Sequence, residues 1–116
     1  MLKLHKIAAE DIKPLVEGYG ECFASDMITV DGLPVGFMYR EEPDYEDDSG
    51  WRFLNGSESD EYMEELGNYG VFEVNTIANY DPTIIPFLDA PIGSAFEKTP
   101  GAATFIAVTD WELPEK

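Results

Sequence analysis

Residues 27–41, Met27-Ile-Thr-Val-Asp31-Gly32-Leu-Pro34-Val-Gly-Phe-Met-Tyr-Arg-Glu41, decide the reading of the fold because they set Asp-Gly between two apolar runs. Asp-Gly tolerates the left-handed backbone of a two-residue hairpin turn, so the stretch predicts Met27–Val30 as one strand and 33–41 as its return. In the return strand Val35, Phe37 and Tyr39 share one face and Gly36, Met38 and Arg40 the other, with Pro34 where no ladder N–H is needed.

Upstream, Cys22 to Ser25 also reads as extended. Before it, Ile12, Leu15, Val16 and Tyr19 recur at helical spacing, with Asp11 as N-cap, Pro14 in the first turn and Gly18 as the stop. Downstream, residues 42–50 read as an exposed loop, Trp51 to Leu54 as a strand, and Ser57 to Glu61 as a helix start whose Tyr62, Met63 and Leu66 turn toward the core. Gly67 or Gly70 closes that segment; Val71 to Thr76 reads as a strand, and Asp81-Pro82 opens a short helical turn distorted by Pro86. Ser94 to Glu97 and Thr104 to Thr109 are the remaining strands. The sum is an α+β single domain over residues 1–116, a mostly antiparallel sheet with two or three short helices. Residues 1–20 form an N-terminal helix segment.

The chain has 116 residues, with 24 acidic side chains against 7 basic ones, for a formal charge of −17. That excess is beyond the roughly 2–8 units that keep a small domain soluble, and it works against compaction. It also argues against binding nucleic acid or an anionic membrane, since both need Lys and Arg to meet phosphate. No apolar run approaches the roughly 18 residues needed to cross a bilayer, and the start of the chain is too short in hydrophobic residues for a signal peptide, so a cytoplasmic protein is expected. Eleven of the acids fall within residues 41–65, where Arg52 is the one basic residue. The partner expected for such a surface is cationic.

Chemistry-bearing patterns are sparse. One cysteine, Cys22, precludes an internal disulfide, and the single histidine, His5, leaves Cys22 without an evident base; both take structural readings. Asp44, Glu46 and Asp48 alternate as calcium ligands do, but a calcium loop counted from Asp44 places Ser49 where glycine is needed and Asn55 where the bidentate glutamate belongs. Neither metal nor cofactor is expected. Abundant carboxylates without a surrounding motif do not make a general acid, and the reading is that the chain is not an enzyme. Asp48-Ser49-Gly50-Trp51-Arg52 reads as a corner: Gly50 for close backbone approach, Trp51 inward, Arg52 paired with carboxylates. Tyr45, a large ring among acids that must stay wet, stands out as an interface candidate.

The string from Cys22 through Pro43, Asp47-Asp-Ser-Gly-Trp-Arg-Phe53 and Asn75-Thr-Ile-Ala-Asn-Tyr-Asp81 together resemble a bacterial family first catalogued as a domain of unknown function and later grouped as number thirty-three among the immunity proteins of polymorphic toxin systems. The motifs cover about residues 22–98, and the family-like core extends to about 109. The resemblance implies an intracellular protein that binds a toxin domain and blocks it, and it brings no catalytic residues. Joined to the charge, it predicts occlusion of a cationic toxin, a nuclease among the candidates. The predicted contact residues are Glu41, Glu42, Asp44, Tyr45, Glu46, Asp47 and Asp48, with Glu58, Asp60 and Glu61. The alternative is a small acidic housekeeping or regulatory protein-binding domain with no toxin partner.

Overall fold

The computed structural model describes residues 5–109. Along the chain lie β1 (Glu21–Ser25), α1 (Asp26–Thr29), β2 (Phe37–Arg40), β3 (Asp48–Leu54), α2 (Asp60–Glu64), β4 (Tyr69–Glu73), α3 (Val74–Tyr80), β5 (Ala95–Glu97) and β6 (Ile106–Ala107). Three 3-10 turns, Ala9–Asp11, Leu66–Asn68 and Pro82–Phe87, complete the set. The strands form one sheet in the order β4-β1-β3-β2-β5-β6. The class is α+β, and the sheet is mixed: β1 and β3 run parallel, the other four pairings antiparallel.

That parallel pair corrects the hairpin reading of Asp31-Gly32. Ser25 caps a helical turn by accepting the Met27 N–H at 3.2 Å, which makes Met27–Thr29 helix instead of strand. The Asp31 and Gly32 N–H groups then donate back to the carbonyls of Asp26 and Ile28, and Gly32 takes φ +77°. The left-handed glycine therefore stops a helix rather than turning a hairpin. Strand β3 occupies the place beside β1 that the hairpin would have given to β2.

The N-terminal helix of the sequence reading is likewise absent from residues 12–20; residues 1–4 of that segment lie outside the described residues. A pair of asparagines on α3 outcompetes it. Asn75 Oδ1 accepts the N–H groups of Leu15 and Val16, Asn79 Oδ1 accepts that of Lys13, and both Nδ2 groups donate to the Lys13 carbonyl. Backbone groups satisfied this way have no need of a helix.

The core lies on one face of the sheet. Cys22, Ala24, Met38, Trp51 and Phe53 point toward Ile28 of α1, Val74, Ile77 and Ala78 of α3, and Ile84 and Leu88 around the Pro82 turn, all fully buried. Trp51 stacks near Phe53 with ring centroids 6.0 Å apart, and its indole N–H donates to the Leu88 carbonyl at 3.2 Å. Gly50 sits at φ +89°, where a β-carbon would come within 2.2 Å of the Glu41 carbonyl oxygen, so the corner before Trp51 requires glycine. Asp81 draws three segments together, accepting the Val35 and Thr83 N–H groups and the Lys98 ammonium at 2.7 Å. Burial alone would raise its carboxyl, but the bonds from Lys98 and Thr83 outweigh that and hold it below the usual carboxylate range.

Candidate functional site

Among the described residues, no helical layer crosses the centre of the other face of the sheet. There Phe23 of β1, Tyr39 of β2, Arg52 and Leu54 of β3 and Val71 of β4 line a groove of about 400 Å³, closed along one side by Met63 and Leu66. Neither the five-residue α2 nor the 3-10 turn after it directs these side chains into the core as the sequence reading expected: Met63 is exposed and Leu66 is 84% exposed. Val71 is 54% exposed. An exposed apolar group collected around one concavity marks a binding surface in a way that scattered apolar residues do not.

Arg52 anchors the floor. Its guanidinium lies 4.1 Å above the Phe23 ring, donates twice to Asp48 at 2.8 and 2.9 Å and once to Glu41, and stands 3.5 Å from Asp44. Burial works to lower its pKa, yet the hydrogen bonds to Asp48 and Glu41 prevail and keep it charged. For Asp48, burial would raise the carboxyl, but the Arg52 bonds and the N–H groups of Asp44 and Gly50 bring it down to about 2. Tyr39 beside them is pushed up to about 12 by burial and then by Glu41, so its hydroxyl stays protonated. The cation among these carboxylates is thus a guanidinium. Among the described residues no group of three His, Cys, Asp or Glu side chains is arranged to hold a metal ion.

The ten contact residues expected from sequence separate into three sets. Glu41 and Asp48 belong to the Arg52 cluster; Asp48 is 4% exposed, inside β3 instead of on the loop. Glu58 accepts the N–H groups of Asn55 and Gly56 at 2.7 and 2.8 Å and holds the turn before α2. Glu42, Asp44, Tyr45, Glu46 and Asp47 on the loop and Asp60 and Glu61 on α2 are exposed. Tyr45 is 39% exposed, and its hydroxyl is raised to about 12 by desolvation and by a hydrogen bond with Glu21, so the ring ties its loop to β1. Sequence reasoning missed Phe23 and Val71 as surface residues and placed Met63 and Leu66 inside. The available signal for the latter pair was their setting, Glu64-Glu65 before Leu66 and Gly67-Asn68 after it.

Cys22 is wholly buried and its thiol is raised by desolvation far above neutrality. His5 is exposed and packs edge-on to Phe72, ring centroids 5.3 Å apart. No described helix is long and apolar enough to cross a membrane.

The motifs quoted from the sequence explain themselves in this geometry: Asp48, Gly50, Trp51 and Arg52 build the corner and the cluster, while Asn75, Asn79, Tyr80 and Asp81 tie separate backbone segments together. Searches of curated proteins and of solved structures return no match. The model of the Immunity protein Imm33 domain matches residues 22–109, a span that holds the whole described sheet except Glu21, the first residue of β1, and the chain belongs to that family of immunity proteins.

Proposed function

We propose that the chain binds a cationic toxin domain and occludes it stoichiometrically, without turnover. The observation that carries this reading is an apolar groove set between two acidic stretches. Glu41 and Arg52 lie at its floor, where Asp44 joins it to the loop of Glu42, Asp44, Glu46 and Asp47, and its side wall is the segment bearing Asp60, Glu61, Glu64 and Glu65. A domain acting on a polyanion, such as a nuclease, needs a basic surface, and a partner with a charge of −17 is attracted to it over a Debye length. The exposed acids steer the encounter; Leu66, Met63 and Val71, with Tyr45, supply the contacts that hold. Asp48, Glu41 and Glu58 serve by shaping the surface rather than touching the partner.

The test is binding of the toxin domain encoded by the adjacent reading frame, measured at low and high salt. Asp44→Asn, Glu46→Gln and Asp47→Asn together are expected to slow association at low salt roughly tenfold and to flatten its salt dependence. Leu66→Ser is expected to speed dissociation. Unchanged rates in both variants would leave the acidity as a solubility device and take Leu66 out of the interface, whereas no binding of the toxin domain by the parent chain would favour a protein-binding domain without a toxin partner.

A further inference from the structure

The two outer strands of the sheet end it in different ways. β6 is two residues long, too short to template another strand. β4 is five residues long and among the described residues pairs only with β1, without a bulge in the register, and it holds no lysine or proline. Bulges, prolines and edge lysines are the devices that keep an outer strand from pairing further.

The hydrogen-bond phase of β4 follows from its neighbours. The Val74 N–H donates to the Gly20 carbonyl at 2.9 Å, and this pair continues the register Cys22↔Phe72 and Ala24↔Gly70. On the other side of β1, the Glu21 N–H donates toward β3, to the Asp47 carbonyl at 2.8 Å, so the pair Glu21↔Glu73 carries no bond between β1 and β4. Bonded and non-bonded pairs alternate in an antiparallel ladder. The Val71 N–H and carbonyl, the Tyr69 carbonyl and the Glu73 N–H therefore point outward, and among the described residues none of these four groups is engaged. Tyr69, Val71 and Glu73 share a sheet face by strand alternation, and it is the face of the groove.

We infer that the outer edge of β4 receives an extended segment of the cationic partner as a seventh, antiparallel strand, with an apolar residue opposite Val71 and a lysine or arginine two positions away opposite Glu73. This deepens the toxin-binding reading and rests on it. Pairing to the edge makes four backbone hydrogen bonds and lays the apolar side chain into the groove beside Leu66, while the cross-strand partner of Glu73 sets polarity and register. A second copy of this chain is the wrong occupant: edge-to-edge pairing brings Glu73 and the exposed Asp60, Glu61, Glu64 and Glu65 of one copy toward those of the other, with −17 on each.

The test uses the full chain and the peptide acetyl-Thr-Lys-Thr-Val-Thr-Lys-Thr-amide, with the same peptide N-methylated at its valine as control. The N-methyl group removes the donor facing the Val71 carbonyl and leaves charge and side chains in place. The expected result is at least tenfold slower hydrogen exchange at the Val71 and Glu73 amides with the first peptide, and at least tenfold weaker binding of the control. Val71→Lys is expected to weaken the first peptide tenfold with the melting temperature unchanged. Equal binding of the two peptides, unaltered exchange at Val71 and Glu73, or no binding of either overturns edge pairing. So does a dimer in sedimentation that Val71→Lys abolishes, since the edge is then filled by a second copy. A toxin domain that binds without slowing those two amides overturns the edge and leaves the toxin-binding reading standing; peptide pairing with no toxin binding leaves the edge and removes that reading.

Discussion

Trp51 and Arg52 are neighbours on β3 and face opposite ways. Trp51 is buried among apolar side chains under α3 and the Pro82 turn, so that face is held by area removed from water. Arg52 is as deeply placed, but what surrounds it is Asp48, Glu41 and the Phe23 ring. On that face a compensated charge cluster does the holding near the centre, and the apolar side chains beyond it, Val71 and Leu66, are left exposed. One face is committed to stability, and the other is stabilised only as far as Arg52 and open to a partner thereafter.

The largest effects expected are at these two residues. Trp51→Ala should cost about 3–5 kcal/mol in denaturant unfolding, through lost burial and the cavity left behind. Arg52→Ala should cost about as much for another reason, because it strands the Asp48 carboxylate in β3 without its cation. If Arg52→Ala costs under about 1 kcal/mol, the value of an exposed pair, then the open face is not held by the cluster and the contrast fails.

Asp48 sharpens the same point by pH. Its carboxyl sits at about 2 in the native state against 3.8 ordinarily, so the folded protein favours the ionised form. The stability it contributes, about 2 kcal/mol, is fully present above about pH 5 and is lost as pH falls through the native value near 2. Unfolding of the parent chain and Asp48→Asn, compared from pH 7 to pH 2, should show a gap that closes over that window. Gly50→Ala is expected to cost at least about 1–2 kcal/mol, from the left-handed backbone and from contact with the Glu41 carbonyl.

The smallest expected effects belong to the uncovered part of the open face. Leu66→Ser, and the triple replacement of Asp44, Glu46 and Asp47 by their amides, should each change stability by no more than about 0.5 kcal/mol while altering partner binding. A fall of several kcal/mol in Leu66→Ser would show that the exposed apolar wall is part of the fold after all.

Much of the site was legible in part. The acidic concentration, the inward Trp51, the glycine-dependent corner and the carboxylate partners of Arg52 follow from residue chemistry, and each is found where expected. That Asp48 is one of those partners was not legible: its identity says acid on a loop, and only the chain's return along β1 draws it into the sheet to meet Arg52. Leu66 erred in the opposite sense. Its apolarity points inward, but α2 ends after five residues and the 3-10 turn that follows swings it out.

By itself the sequence determined the charge, the α+β class, the segments 51–54 and 95–97 as strands, the capped starts of α2 and the Pro82 turn, and the family through its motifs. These depend on local propensity and composition, which are properties of short stretches. The tertiary structure alone decided that Asp31-Gly32 ends a helix, that residues 12–20 stay non-helical, that β3 lies parallel to β1, and that β4 is an outer strand beside an open groove. Each of those outcomes turns on a contact between segments far apart in sequence, such as Asn75 with Leu15 or Glu21 with Asp47, and a local pattern carries no record of which distant backbone will compete for its hydrogen bonds.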